Sequence, residues 1–209
     1  MKNTQQQLNL PGVPRAKQGR EVPPKWEWTE ASVWTERMLA TLETGIKGGK
    51  WFSLVDKVWN SENLQSALKA VVRNNGSAGV DGKEVKQYVL ESPHRLPRVQ
   101  TWLKTGEYKP KAVKRVWITK LGSKELRPLG VPTVEDRVVQ TAIRNVIEPI
   151  FENTFAAHSY GFRPRRGAKD ALRRVHQLLQ AGRVWVLDAD LKGYFDSIPQ
   201  DKLLEAVAE

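Results

Sequence analysis

The chain has 209 residues, 40% of them hydrophobic, with no cysteine and three histidines. That is enough for one domain or a domain and a half with a core, and it excludes a disulfide framework or a thiolate zinc site. His94, His158 and His176 are too scattered for a histidine-ligated metal. No apolar run approaches a membrane span, and the opening Met-Lys-Asn-Thr-Gln-Gln-Gln lacks an apolar signal core. The expectation is a soluble, cytoplasmic protein with no membrane partner.

The net charge of +11 is concentrated. Residues 109–127 hold seven basic side chains and one acid, Glu125, and residues 163–174 hold six and one acid, Asp170. These windows carry the whole excess, the footprint of a polyanionic partner rather than of a generally basic surface. Lys114, Arg115, Arg163, Arg165 and Arg166 within them are the candidate contacts to that polyanion.

In chain order, residues 1–25 are rich in Gln, Pro and Lys and read as a mobile tail. Residues 26–59 carry five of the eight tryptophans. Stacking on bases is one use for them, and packing in a small core is the commoner one. Thr29 or Ser32 is placed to cap a helix running to Leu42, and Ser61 to cap one carrying Leu64, Leu68, Val71 and Val72. The loop 74–82 has three glycines with Asn and Asp, a pattern that demands positive φ or close backbone approach. Residues 85–90 and 95–103 read as two short helices. Residues 111–119 alternate with β-branched residues and pair with the return segment 127–132 as a hairpin bearing Lys120 and Arg127.

The clearest helix spans 133–150. Thr133 caps it, Asp136 stands at its third position, and Pro149 should end or kink it. A basic, aromatic loop, 159–167, leads to a second helix with Ala168, Ala171, Leu172, Val175, Leu178 and Leu179 inward, Arg173 and Arg174 outward, and Gly182 at its end. Residues 184–190 (Val-Trp-Val-Leu-Asp-Ala-Asp) read as a buried strand that finishes on acid. A buried, unpaired carboxylate costs several kcal/mol on the order given for desolvated ions, so a cation is expected at that strand end unless the strand has reached solvent or the Asp caps a helix. A last helix opens at Pro199.

Cations on a hairpin and carboxylates at a strand end suit nucleotidyl transfer, which needs charge on a polyphosphate and acids holding two metals roughly 3.5–4 Å apart. The order of motifs resembles the reverse transcriptases encoded by bacterial group II introns, also called maturases. Asn75-Gly-Ser-Ala-Gly-Val-Asp-Gly resembles the family's N-terminal motif. Trp117-Ile-Thr-Lys through Arg127-Pro-Leu-Gly-Val-Pro-Thr-Val-Glu-Asp-Arg137 matches its first fingers motif. His158-Ser-Tyr-Gly-Phe-Arg-Pro matches the second, and Asp190-Leu-Lys-Gly-Tyr-Phe-Asp-Ser-Ile198 the first palm motif.

The resemblance implies a mixed α/β (α+β) fold, the fingers and the beginning of the palm of a right-hand polymerase. It implies an N-terminal tail and Trp-rich lead-in over 1–50, fingers over 51–180 and palm from 181–209. It implies Asp190 as catalytic ligand of Mg²⁺ with help from the Leu191 carbonyl, Lys120 and Arg127 on the triphosphate, and Phe195 under the sugar of the incoming dNTP. Asp188 shares the Asp190 face and ranks below it as a ligand, and Asp196 is structural or capping. The implied partners are intron RNA, an RNA template-primer, dNTP and, for the whole protein, a DNA target. The family's Tyr-x-Asp-Asp does not occur in these residues. The expectation is therefore an incomplete reverse transcriptase, inactive alone. The alternatives are a non-catalytic RNA-binding fragment, one half of a split enzyme, or a decayed remnant.

Overall fold

The computed structural model describes residues 24–45, 51, 53–119, 122, 124–191 and 193–208. Lys120 and almost all of the expected tail over 1–25 fall outside them. The fold is mixed α/β: helices with one small antiparallel sheet. Its centre is three helices, α3 (Ser61–Asn74), α4 (Val85–Thr105) and α5 (Val134–Glu152). Apolar residues at three- and four-residue spacing give each a stripe, and the stripes meet. Leu64, Ala67, Leu68 and Val71 pack with Val85, Tyr88 and Val99 and with Val134, Val138, Val139 and Ala142. Burying each large aliphatic side chain is worth about 1.5–3 kcal/mol.

A second cluster covers the far end of α5. The 3-10 turn Pro24–Trp26 and α1 (Glu36–Thr44) bring Trp26, Val33, Trp34 and Leu39 onto Val146, with Ile150, Leu54 and α2 (Val55–Val58) at its margin. Trp26 and Trp34 are fully buried, so these tryptophans serve as core. Their polar edges are satisfied: Trp34 Nε1 donates to the Asn145 carbonyl at 2.9 Å and Trp26 Nε1 to Glu43 at 3.0 Å. Between the two clusters the buried Asn63 amide donates to the carbonyls of Lys57 and Ala142, while its oxygen accepts from Asn145. One side chain thus ties α2, α3 and α5 together.

Several helix boundaries differ from the sequence expectation. The first helix is capped by Thr35, not Thr29 or Ser32, and α3 is capped by Asn60, whose side chain accepts from Glu62 and Asn63 N–H. The two short helices expected at 85–90 and 95–103 are one helix that runs through Pro93 and Pro97. Pro93 has no N–H for the Val89 carbonyl, and the Ser92 hydroxyl donates to that carbonyl instead, at 2.7 Å. Helix α5 likewise passes Pro149 and ends at Glu152. Its N-terminus is as expected, with Asp136 N–H donating to Thr133 Oγ1.

The two strands, β1 (Lys114–Thr119) and β2 (Leu126–Val131), pair antiparallel with Trp117 opposite Pro128 and Ile118 opposite Arg127. Beyond α5 the packing changes. Helix α6 (Ala168–Gln180) has the expected apolar stripe, but Leu172, Val175 and Leu179 are 46–67% exposed rather than inward. The expected strand over 184–190 is chain without regular secondary structure or a ladder partner among the described residues. Val184, Trp185, Val186 and Leu187 are 70–96% exposed. A strand is defined by its pairing, and nothing among the described residues pairs with this one. A short turn, α7 (Tyr194–Ser197), and α8 (Gln200–Ala208) close the described chain.

Candidate nucleic-acid and nucleotide site

The hairpin projects from a carboxylate hub. Asp136 is buried at the start of α5 and accepts from Tyr108 Oη at 2.6 Å, from Thr133 Oγ1 and from the Lys111 backbone N–H at 3.3 Å. Burial and the Asp136 hydrogen bond push the Tyr108 phenol well above its usual range, so it stays a donor. Asp136 thereby fixes the chain just before β1. Sequence reasoning placed it at the third position of the helix alone, and no signal in the neighbouring residues marked its bonds to Tyr108 and Lys111.

The glycine loop locks against the same helix start. Arg137 Nη2 donates to the Ser77 carbonyl at 2.8 Å, and a Cβ at Gly76 would overlap the Arg137 guanidinium. A Cβ at Gly79 would lie 2.6 Å from the Thr133 backbone. Both glycines are there for close approach, as the composition of the loop requires. Burial holds the Arg137 pKa below its ordinary value, with Asp81 opposing that shift.

On the hairpin, pairing and alternation put Lys114, Val116 and Ile118 on one face with Arg127, Leu129 and Val131. Arg127 and Lys114 are exposed and make no hydrogen bond or ion pair among the described residues. Lys120 lies outside those residues. Arg115 is exposed on the opposite face.

The second basic window corrects the sequence reading. Arg163 is 8% exposed, and its donors are spent inside the protein. Its Nε and Nη2 bond Glu152, the latter at 2.7 Å, and its Nη1 donates to the carbonyls of Ala156 at 2.8 Å and Ser159 at 2.9 Å. It staples the 153–167 loop to the end of α5, and with four of its five N–H donors engaged and the side chain buried it is not placed as an RNA contact. Arg165 donates to the Pro24 carbonyl and to Glu27, and Arg166 donates to the Ala157 and Ser159 carbonyls while lying over the Tyr160 ring. These two remain partly exposed but structurally engaged. Phe162, just before Arg163, is fully exposed at φ +54.

The acidic segment stands apart from protein partners. Asp188 and Asp190 are exposed and make no hydrogen bond or ion pair among the described residues. Leu191 is 70% exposed. Gly193 then turns the chain at φ +63, and Tyr194 and Phe195 meet edge to face at 5.4 Å, with Phe195 84% exposed. Among the described residues no group of three His, Asp or Glu side chains converges as a metal site. A hard divalent cation takes about six oxygens. One carboxylate and a neighbouring carbonyl supply only a fraction of that set, so the residues present do not make a magnesium site by themselves.

The hairpin thus offers cations without partners among the described residues, and an exposed aspartate segment follows it in the chain. Residues 110–209 match the family described as reverse transcriptase (RNA-dependent DNA polymerase). Protein YkfC of Escherichia coli is 35% identical over 82% of this chain and 46% of its own length. The group II intron-encoded protein LtrA of Lactococcus lactis is 38% identical over 54% of this chain and 19% of its own. The nuclear intron maturase 1 of Arabidopsis thaliana is 29% identical over 69% and 18% respectively. The chain belongs to the reverse transcriptase family, among the group II intron-encoded members. It spans less than half the length of these curated relatives.

Proposed function

We propose that these residues are the nucleotide-gripping fingers and leading palm edge of a group II intron reverse transcriptase. In this reading Arg127 and Lys120 hold the triphosphate of a dNTP, Asp190 contributes one carboxylate toward Mg²⁺, and Phe195 excludes the ribose 2′-hydroxyl. The observation that carries it is Asp190, an exposed aspartate with no ionic partner among the described residues, followed at Gly193 by a turn into an exposed aromatic pair. The template is intron RNA, and splicing, mobility and DNA-target recognition belong to the whole protein, acting in the cytoplasm.

A set of 209 residues without Tyr-x-Asp-Asp does not hold a two-metal centre. Polymerisation therefore requires the other palm carboxylates, in the same chain or in a second one. The test is primer extension on an RNA template with Mg²⁺ and dNTPs. The 209 residues alone should give none. Joined to, or mixed with, a palm and thumb segment bearing Tyr-x-Asp-Asp, they should give extension that Asp190→Asn abolishes. Arg127→Ala and Lys120→Ala should raise the KM for dNTP, and Phe195→Ala should admit rNTPs. Extension indifferent to Asp190→Asn would remove Asp190 from the site.

A further inference from the structure

The hairpin has a second face, opposite that of Arg127 and Lys114. The cross-strand pairs Arg115 with Gly130, Trp117 with Pro128 and Thr119 with Leu126 place these six residues together, opposite Arg127 and Lys114. Val113 joins them, because it packs where a Gly130 side chain would stand, 3.1 Å from that Cβ position. The outward face of a surface hairpin is ordinarily polar. Here Trp117 is 56% exposed, Leu126 58% and Val113 54%. The aliphatic side chains Val116, Ile118 and Val131 on the other face are the half-buried ones. An indole thus stands in solvent above a proline, one strand repeat from an arginine with no partner among the described residues. The surrounding window carries seven basic residues to one acid.

We infer that this outer face is a stacking platform for single-stranded RNA, with a base on Trp117, a second base or a phosphate on Arg115, and the neighbouring lysines attracting the backbone. Every base offers a π-face, so an indole beside a guanidinium plane binds single strands without reading sequence. The charge selects this occupant over an apolar protein surface, which would meet an uncompensated excess of cations. The inference rests on the RNA-directed reading above. It adds that the hairpin works two-sided, with the incoming nucleotide on the Arg127 face and unpaired strand on the Trp117 face.

The experiment is fluorescence anisotropy of a labelled 12-nucleotide RNA without secondary structure, titrated with the 209-residue chain at several salt concentrations. A blunt RNA duplex of the same length serves as comparison. Trp117→Ala should weaken single-strand binding about 5- to 100-fold, the range for losing one stacked base, and change duplex binding less than about twofold. Trp117→Phe should restore most of the loss. Arg115→Gln should reduce the slope of log Kd against log salt by about 0.7. Unchanged single-strand affinity in Trp117→Ala, beside a salt-dependent wild type, would overturn the platform and leave the RNA-directed reading standing. Equal losses on duplex and single strand would overturn stacking as the mode. A wild type that binds neither RNA would overturn the RNA-directed reading itself. A Trp117→Ala effect confined to self-association would make this face a protein contact and overturn the proposal.

Discussion

The helical layer of α3, α4 and α5 and the end of the molecule from α6 onward are built from equally apolar sequence, yet only the first buries it. Val134, Val138 and Val99 are at most 1% exposed, whereas Val184, Trp185 and Leu187 exceed 69%. In the layer every stripe meets another stripe, and buried polar groups such as Asn63 and Asp136 are bonded to both sides of the core. At the far end the apolar side chains of 184–187 stand in solvent, and Asp188 and Asp190 have no partner among the described residues. Apolar content says what an element can bury, and the neighbouring element decides whether it does.

Native-state hydrogen exchange should separate the two regions most widely. Core amides of α3 and α5 should open only with global unfolding, while those of 183–191 should exchange within a few-fold of the free-chain rate. The gap is about 10³-fold or more for an ordinary domain stability. Uniformly slow exchange from 111 to 209 would erase the contrast. Next in size is Arg163→Ala, which strands the buried Glu152 carboxylate and two carbonyls. It should cost about 3–5 kcal/mol in urea unfolding. Asp190→Asn, on the exposed segment, should stay within about 0.5 kcal/mol. A smaller cost separates Gly76 from Gly79 in the 74–82 loop. Gly79→Ala drives a methyl into the Thr133 backbone and should cost about 1–3 kcal/mol. Gly76→Ala displaces only the tip of the Arg137 side chain and should cost less, measured in the same unfolding series.

The smallest effect concerns pH. Burial raises the Glu148 pKa, with Glu152 adding to the shift and Arg144 opposing it. A carboxyl whose folded pKa is raised binds its proton more tightly in the native state. Its ionisation therefore removes stability as pH rises from the ordinary carboxylate value of 4.5 through the folded value, and the loss is constant above that. Glu148→Gln should remove that slope and change neutral-pH stability by less than about 0.5 kcal/mol, because the Arg144 pair at 3.6 Å is lost with it. A slope unchanged by the substitution would move the titration to another group.

Local chemistry made much of this legible beforehand. The Thr133 cap with Asp136, the stripe of α5 and the hairpin are written in a few neighbouring residues, and the motif order carried the family. The pieces that escaped depend on distant partners. Pro93 looked like a break because the substitute donor, Ser92 Oγ, is visible only once the helix is formed. Arg163 looked like an RNA contact because its charge is local, while the Glu152 and carbonyl groups that consume it are set by the loop's path. Trp117 was noticed as a strand residue, and its exposure followed only from the register.

The hydrogen bond from Trp34 to the Asn145 carbonyl joins residues 111 positions apart. The tryptophan cluster therefore cannot close until α5 has been made. At a synthesis rate of about 5–20 residues per second, Trp26 and Trp34 leave the ribosome roughly 6–22 s before their partners do. For that interval two of the largest apolar side chains in the core have no native surface to cover. The nascent chain is then at its most adhesive, and a chaperone that shields aromatic segments would act on this stretch first.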